Sequence, residues 1–179
     1  MSVTLHTSVG KIKFELFCDT APRTCFNFLA LAASNYYTKS IFHRNIPGFM
    51  IQGGGPYGKN GKGGDSVWGG EFGDEFHPDN VHDRRGMLSM ANKGPGTNAS
   101  QFFITYERQP HLNNVYTVFG RVIDGWETLD AFEHLPMKEG KKNRPVDPPT
   151  INYVEIHANP LADEDLVYPT KSGPPERTS

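Results

Sequence analysis

The sequence predicts a mainly β protein, a closed antiparallel β-barrel of eight strands capped by two α-helices. Short segments of alternating or wholly apolar residues recur along the 179 residues and are separated by turns rich in glycine and proline. Only two segments carry apolar residues at helical spacing. Strands and helices therefore alternate too rarely for a parallel βαβ sheet, and closing an antiparallel sheet into a barrel removes its exposed edges.

A hairpin and a helix are predicted at the start of the chain. Residues 3–7 and 11–17 form the hairpin, because apolar and charged residues alternate in its second strand. Asp19 or Thr20 would cap the helix that follows, and Pro22 would occupy its first turn, where an N–H is not needed. The helix residues expected to cover the sheet are Phe26, Leu29, Ala30 and Ala33.

The segment from residue 42 to residue 52 contains one arginine and one glutamine among apolar residues. The Pro47-Gly48 pair predicts a turn between two short strands, because proline fixes φ and glycine has no side chain. Such a hairpin would place Arg44 beside Gln52.

The second strand of this hairpin is expected to have two chemically different faces. Strict alternation places Met50 with Gln52 on one face, and Phe49 with Ile51 on the other. An apolar surface beside fixed hydrogen-bond donors suits a site that binds a peptide and changes its shape, because that reaction needs no acid, base or nucleophile. The hairpin is therefore the candidate functional segment.

Residues 53–70 contain nine glycines, which predicts a long surface loop packed close to its neighbours. The loop also matches two glycine-rich nucleotide-binding patterns, but the matches are weak. Pro56 prevents the helix that would face a pyrophosphate, and Asn60 replaces the serine or threonine that should follow Lys59. Nucleotide binding is therefore not expected.

Four more strands, a short turn and a second helix complete the predicted barrel. The turn covers residues 109–113, and the helix covers residues 125–134. In this helix Leu129 and Phe132 face inward, and Trp126 packs in the core at its start. The strands are expected at residues 87–91, 101–105, 116–122 and 150–157.

Two pairs of residues invite a metal or redox interpretation. His77 and His82 have no cysteine or third histidine nearby, so they are interpreted as surface residues and not as metal ligands. Cys18 and Cys25 are too few for a disulfide framework, and two buried, reduced thiols are the favoured interpretation. A redox pair is the alternative, because Cys18 ends a strand and Cys25 begins a helix a short loop later.

Charge and hydropathy exclude several classes of function. The net charge is −2, and the four acidic and two basic side chains of residues 160–179 account for all of it. The remaining chain is neutral, so nucleic-acid or membrane binding driven by charge is not expected. No segment resembles a signal peptide or a transmembrane helix. We expect one domain over residues 1–159, a disordered tail over residues 160–179, a monomer, and a location in the nucleus or the cytoplasm.

Several motifs in the chain are highly specific. They are Phe42-His43-Arg44, Phe49-Met50-Ile51-Gln52-Gly53-Gly54, Ser89-Met90-Ala91-Asn92, Thr97-Asn98-Ala99-Ser100-Gln101-Phe102-Phe103 and Val118-Phe119-Gly120. Together they resemble the signature of the cyclophilins, which are peptidyl-prolyl cis-trans isomerases with a barrel fold. Within that family, residues 1–7, 33–37 and 157–160 resemble the single-domain cyclophilin-like 3 branch, which is associated with spliceosomes.

The resemblance implies which residues form the site. Catalytic roles fall on Arg44, Gln52 and Phe49, and neither a cofactor nor a metal is implied. Lys62 and Lys93 would flank the groove. Proline-containing peptides are the implied ligands, and spliceosomal proteins are implied partners. The residues expected to contact substrate are Met50, Ala91, Asn92, Gln101, Phe103, His111, Leu112 and Tyr116.

Two residues depart from the best-known members of this family. His111 stands where they carry tryptophan, and Tyr116 stands where they carry histidine. Tyr116 still offers a flat wall to a proline, whereas His111 lacks the area and the donor of an indole. The expected function is therefore an isomerase of X-Pro bonds, acting in protein folding or spliceosome assembly, that binds cyclosporin A weakly. The alternative is a proline-peptide binding or scaffold module with incidental catalysis.

Overall fold

Eight antiparallel strands form one continuous sheet that curls into a barrel, which confirms the predicted fold class. The computed structural model describes residues 1–157, so the predicted tail lies outside the described residues. The helices are α1 (Pro22–Ala33) and α2 (Trp126–Glu133), and a 3-10 turn spans Pro110–Leu112. In chain order the strands are β1 (Ser2–Thr7), β2 (Lys11–Leu16), β3 (Arg44–Ile46), β4 (Met50–Gly53), β5 (Met87–Met90), β6 (Phe102–Thr105), β7 (Val118–Asp124) and β8 (Ile151–Ile156).

The strands are ordered β3-β4-β6-β5-β7-β2-β1-β8 in the sheet. The chain leading into β3 closes the gap to β8, because Ile41 and Thr150 form an isolated antiparallel bridge. The loop after α2 covers the outer edge of β3, where the Asn45 N–H donates to the Asn143 carbonyl at 2.8 Å. The hairpin of β3 and β4 therefore lies at the seam of the barrel, with backbone partners on both sides.

Aromatic side chains fill the centre of the barrel. Phe28 of α1 has no exposed surface, and its ring lies 5.3 to 5.5 Å from the rings of Tyr37, Phe102 and Phe119. These contacts join the helix to β6 and β7. Burial of several large rings at one point supplies much of the hydrophobic stabilisation of a domain of this size.

The N-terminus of α1 is capped from a distance. We predicted a cap by Asp19 or Thr20, and this prediction is wrong, because no side-chain cap forms locally. The Glu75 carboxylate accepts hydrogen bonds from the backbone N–H groups of Arg23 at 3.2 Å and Thr24 at 2.6 Å. A negative charge at this end satisfies unpaired N–H groups and complements the helix dipole.

The buried faces of the helices follow the predicted spacing, with two exceptions. Ala33 in the last turn of α1 is exposed, and Trp126 at the start of α2 is 40% exposed. The Trp126 ring instead covers Gly86, where an added Cβ would lie 2.9 Å from it. Within residues 1–157, no helix is long and apolar enough to cross a membrane. The predicted inward residues that are buried are Phe26, Leu29, Ala30, Leu129 and Phe132.

Candidate active site

Arg44 and Gln52 face each other across the hairpin of β3 and β4. The two residues are register partners, which confirms the predicted pairing. Between them, Gly48 has a φ of +77°, a left-handed conformation that glycine adopts without strain. The Phe49 N–H closes the turn by donating to the Ile46 carbonyl at 2.9 Å. The sharp turn therefore brings a cation and a neutral amide side by side.

An apolar cluster separate from the barrel core lies beside this hairpin. Its buried members are Met50 of β4, Phe103 of β6 and Leu112 of the 3-10 turn. Gln52 is the register partner of Phe103, so the amide lies next to the cluster. The partly buried residues that pack against it are Ile46, Phe49, Ala91 and Tyr116.

The face that we predicted for Phe49 is wrong. Phe49 packs with Met50 in this cluster, whereas Ile51 points into the barrel core. Because β4 begins only at Met50, Phe49 belongs to the turn, and strand alternation does not apply to it.

A cavity of about 170 Å³ opens above the cluster. It has an apolar floor and a polar rim, a combination that fits a small apolar ring with a polar backbone beside it. Among its lining side chains there is no carboxylate, cysteine, serine or histidine. The predicted site residues that line it are Arg44, Phe49, Met50, Gln52, Ala91, Asn92, Phe103, Leu112 and Tyr116.

A second cavity, of about 130 Å³, adjoins the first and shares Gln52, Ala91 and Asn92 with it. Gln101 and Lys93, which the family resemblance places in or beside the groove, line this second cavity. Glu71 also lines it and was not predicted. The neighbouring cavities together form an elongated groove, because residues between them belong to both.

A chain of amides fixes one side of the groove. Gln52 Nε2 donates to Gln101 Oε1 at 2.9 Å, and Gln101 Nε2 donates to the carbonyls of Gly61 at 2.9 Å and Gly63 at 2.8 Å. A Cβ at Gly61 would collide with the His43 ring. The glycine-rich loop is therefore held against the site through close backbone contacts, as its composition predicted.

Two predicted site residues, His111 and Lys62, line neither cavity. The His111 ring lies 6.1 Å from the ring of Phe49, so it borders the apolar cluster from outside. Lys62 is exposed and stands between the two glycines whose carbonyls accept hydrogen bonds from Gln101. Both residues lie at the margin of the groove.

No carboxylate within residues 1–157 forms an ion pair with Arg44. Its side chain is exposed, and none of the ion pairs found among residues 1–157 includes it. Burial lowers the pKa of the neighbouring His43, and the charges of Arg144 and Arg44 lower that pKa further. With His43 neutral, Arg44 is the cation that faces the first cavity. The N–H donors of its guanidinium are available to a ligand.

Three side chains that were not predicted from the sequence support the hairpin turn. The Gly48 N–H donates to Glu133 Oε2 at 2.7 Å, and the Gly48 carbonyl accepts a hydrogen bond from Gln109 Nε2 at 3.3 Å. Arg85 pairs with the other carboxylate oxygen of Glu133 at 2.7 Å and donates to the Tyr106 carbonyl at 3.1 Å. Glu133 and Gln109 are 85 and 61 residues away from Gly48, so no local pattern indicates these contacts.

His82 is buried, and the prediction that it lies on the surface is wrong. Its ring stacks on Phe103 with an interplanar angle of 4° and a centroid distance of 6.0 Å. Its ring nitrogens lie 2.9 Å from Asn113 Oδ1 and 3.1 Å from Ser89 Oγ. Burial lowers the pKa of His82 more than the hydrogen bond that its ring donates to Asn113 Oδ1 raises it. His82 therefore packs against Phe103, which lines the first cavity. His77, the other histidine that was predicted to lie on the surface, is partly exposed.

Comparisons with known proteins agree with this geometry. Residues 2–156 match the family described as "Cyclophilin type peptidyl-prolyl cis-trans isomerase/CLD". "Peptidyl-prolyl cis-trans isomerase-like 3" of Gallus gallus is 61% identical over 162 residues, which are 90% of this chain and 99% of the relative. The protein of the same name from Homo sapiens is 60% identical, with the same coverage of both chains.

A solved structure supports both the fold and the family. A cyclophilin-type peptidyl-prolyl cis-trans isomerase of Cryptosporidium parvum, crystallised in the presence of the dipeptide Ala-Pro, has a TM-score of 0.83 and 51% sequence identity. The match covers 89% of this chain and all of that one. The chain therefore belongs to the cyclophilin family of peptidyl-prolyl cis-trans isomerases.

Proposed function

We propose that this isomerase accelerates rotation about X-Pro bonds by binding the proline over the Met50–Phe103–Leu112 cluster and donating from Arg44 to the twisted proline nitrogen. The observation that carries this proposal is the position of Arg44. It pairs with Gln52 at the rim of an apolar cavity and has no carboxylate partner among the described residues.

The chemistry of the X-Pro bond explains why such a site suffices. Amide resonance creates a rotational barrier of about 18–20 kcal/mol, and uncatalysed isomerisation takes tens of seconds or more. Rotation removes the resonance and frees the nitrogen lone pair. A guanidinium held near that nitrogen therefore binds the twisted state more tightly than either planar state, which is the requirement for catalysis.

The magnitudes indicate that Arg44 does not act alone. To shorten the isomerisation time from tens of seconds to about a millisecond, the rate constant must rise by about four decades. This increase requires ~5–6 kcal/mol of transition-state stabilisation at ~1.4 kcal/mol per decade. A charge-assisted hydrogen bond supplies about 1.5–3 kcal/mol. The remainder falls to the cluster that holds the proline ring and to contacts that fix the peptide backbone.

The contacts with the backbone of the substrate peptide are assigned to the wall that the two cavities share. Gln52 donates through Nε2 to Gln101, so its own Oε1 remains to accept a peptide N–H. Asn92 is oriented by a hydrogen bond from its Nδ2 to the Val115 carbonyl at 2.8 Å. Lys62 and Lys93 favour acidic or polar residues upstream of the proline. Glu71 lines the same cavity as Lys93, so a strictly acidic preference is not expected.

An isomerisation assay on a short X-Pro peptide tests the role of Arg44. Arg44→Ala should lower kcat/KM by one to two decades, which corresponds to about 1.5–3 kcal/mol, while the melting temperature stays close to wild type. Arg44→Lys should restore little, because a point charge lacks the planar fork of donors. Arg84→Ala is the matched control, since the Arg84 side chain is exposed and, within residues 1–157, is hydrogen-bonded to the neighbouring Asp83. Equal activity in all four proteins would remove Arg44 from the mechanism.

The biological setting that we propose is protein folding or spliceosome assembly, in the nucleus or the cytoplasm. Its support is the resemblance of the sequence to the cyclophilin-like 3 branch and the name of two similar proteins, peptidyl-prolyl cis-trans isomerase-like 3. Affinity purification from nuclear extract with wild type and Arg44→Ala tests this setting. Loss of spliceosomal proteins with Arg44→Ala indicates recruitment through the groove, and their retention indicates a scaffold that docks by another surface. Absence of spliceosomal proteins from both samples would contradict the proposed setting.

A further inference from the structure

The loop between α2 and β8 is fixed beside the cation of the groove. An isolated bridge between Met137 and Pro145 closes the loop at its base. The backbone N–H of Asn45 in β3 donates to the Asn143 carbonyl at 2.8 Å, and the Asn45 side chain donates to Met137 Sδ at 3.9 Å. Asn45 directly follows Arg44, so the loop lies next to the residue that faces the first cavity.

The same loop also contacts the glycine-rich loop. The Arg144 guanidinium donates to Asn60 Oδ1 at 2.6 Å and to the Asn60 carbonyl at 3.4 Å. Asn60 stands between Lys59 and Gly61, and the Gly61 carbonyl accepts a hydrogen bond from Gln101 at the groove. Two segments that are distant in sequence therefore lie against each other at the margin of the groove.

These two segments form a surface of positive charge. Residues 59–62 and 138–144 together hold six basic side chains and one acidic side chain, that of Glu139. None of the ion pairs found among residues 1–157 includes any of the six. The charges of residues 1–159 sum to zero, so this neutrality hides an uneven distribution. The basic surface consists of Lys59, Lys62, Lys138, Lys141, Lys142 and Arg144.

We propose that the basic surface binds an acidic segment of the same peptide whose proline occupies the groove. The preferred substrates would then carry a run of aspartate or glutamate residues a short distance from the X-Pro bond. This inference rests on the proposed isomerase function, because the surface is continuous with the groove through Asn45 and Asn60. Single exposed ion pairs contribute little, so the preference arises from several basic side chains that act together.

Nucleic acid is the other polyanion that this surface would attract. Sites for single-stranded nucleic acid combine positive charge with aromatic rings on which the bases stack. The exposed ring on the glycine-rich loop is that of Tyr57, and Lys39 Nζ lies over it at 5.5 Å from the centroid. Because the Tyr57 ring already has a cation on one face and the surface continues from the groove, an acidic peptide is the favoured ligand.

Three short peptides with the same central Ala-Pro test the preference in the isomerisation assay. One carries a run of glutamates before this dipeptide, one carries the run after it, and the third has glutamines in both places. At low salt, one acidic peptide should have a KM roughly three- to tenfold below that of the glutamine peptide with a similar kcat, because a remote contact is made equally in the ground and transition states. Sodium chloride at about 1 M should remove the difference, since the screening length falls to about 3 Å. Equal KM values for all three peptides at low salt would overturn the proposal, as would an equal gain for both placements of the glutamates.

A charge reversal locates the preference on the loop. Lys141 and Lys142 are exposed and line neither cavity. Lys141→Glu/Lys142→Glu should raise the KM of the favoured acidic peptide at least to that of the glutamine peptide, and kcat/KM for the glutamine peptide should stay close to wild type. The matched control is Lys11→Glu/Lys13→Glu, which makes the same change of charge on β2 and should keep the preference. Equal loss of preference in both double variants would show that net charge sets it, which would overturn the proposal.

The glutamine peptide separates this inference from the proposed function. If Arg44→Ala lowers activity on that peptide but wild type shows no preference for glutamates, the basic surface is not a substrate site and the proposed function stands. If Arg44→Ala retains full activity on it, the proposed function fails instead. Binding of a single-stranded oligouridylate that is lost in Lys141→Glu/Lys142→Glu, without a preference among the peptides, would assign the surface to nucleic acid and overturn the proposal.

Discussion

Glu133, the last residue of α2, accepts the Gly48 N–H at 2.7 Å and so joins that helix to the turn between Arg44 and Phe49. Arg85 holds the same carboxylate at 2.7 Å, which fixes the orientation of Glu133. The turn sets the positions of a cation on β3 and of apolar residues at the start of β4. A contact far from the cavity therefore contributes to the geometry of the groove.

Removal of the Glu133 carboxylate should lower both activity and stability. A hydrogen bond to a charged group contributes about 1.5–3 kcal/mol, but Glu133 is partly exposed, so we expect a loss of only ~1 kcal/mol in unfolding free energy for Glu133→Ala. Because small misplacements of catalytic groups are costly, kcat/KM should fall by roughly five- to tenfold, mainly in kcat. Denaturant unfolding and the peptide assay measure the two effects.

The control for this change is Asp130→Ala. Asp130 is an exposed partner of Arg85 at 2.6 Å and does not contact the turn, so activity should stay close to wild type. Glu133→Gln should lie between Glu133→Ala and wild type, since it keeps an acceptor for Gly48 but loses the charge. Equal losses in the Glu133→Ala and Asp130→Ala proteins would show that the turn contact has no separate role.

Buried His82 should make stability depend on pH. Burial holds its pKa below the ordinary value of about 6.5, so the unfolded chain binds more protons than the folded chain in this range. Its contribution is complete above about pH 6.5 and is lost as pH falls toward the folded pKa, by at most ~1.4 kcal/mol per pH unit. His43 has the same sign, so His82→Gln should reduce this dependence without abolishing it.

Denaturant unfolding between about pH 7.5 and pH 5 checks this prediction. The useful comparison is with His77→Gln, which replaces a partly exposed histidine and so separates the effect of burial from that of removing any histidine. An unchanged slope in His82→Gln would mean that His82 binds protons equally in the folded and the unfolded chain, so that burial does not lower its pKa.

Local patterns were sufficient for the architecture and for most of the groove. Alternation and turn chemistry predicted the strands to within two residues, because strand burial is periodic in sequence. The turn at Pro47-Gly48 predicted the pairing of Arg44 with Gln52. Most of the predicted residues that line the first cavity lie inside the family motifs, whereas Leu112 and Tyr116 lie between two of them.

The errors at His82 and at the cap of α1, and the missed support of Gly48, share one physical cause, which is contact between residues distant in sequence. His82 is buried because Asn113 and Ser89 supply polar partners for its ring. The cap of α1 comes from Glu75, and the support of Gly48 comes from Glu133. Interpretation of a single sequence has no information on such contacts, so it places histidines on the surface and assigns helix caps to neighbouring residues. The buried histidine, the distant cap and the support of the turn are therefore visible only in the folded chain.

The C-terminal residues should contribute little to stability or activity. Residues 160–179 contain few apolar side chains and carry an excess of acidic ones, a composition that does not favour a packed core. Deletion of residues 163–179 should leave the melting temperature and kcat/KM nearly unchanged. A loss of several degrees would indicate that Leu166, Val167 and Tyr168 pack on the barrel.

The last prediction concerns His111, which borders Phe49 with 6.1 Å between ring centroids. Cyclosporin A should inhibit this protein weakly, and His111→Trp should strengthen inhibition. An imidazole in place of an indole removes roughly 50–80 Å² of contact, or ~1–2 kcal/mol at about 25 cal/mol per Å². The imidazole donor has a shorter reach than the indole N–H, and loss of the indole's hydrogen bond removes about 1 kcal/mol more. These losses correspond to one to two decades in Kd.

Small X-Pro peptides should respond less to the same substitution. His111 lies outside the cavity that the proline ring would occupy, so kcat/KM for a short peptide should change by less than the inhibitor affinity does. Titration of cyclosporin A against wild type and His111→Trp measures the first effect, and the peptide assay measures the second. Wild-type affinity equal to that of His111→Trp would show that His111 does not face the inhibitor, because added indole area at a true contact must increase burial.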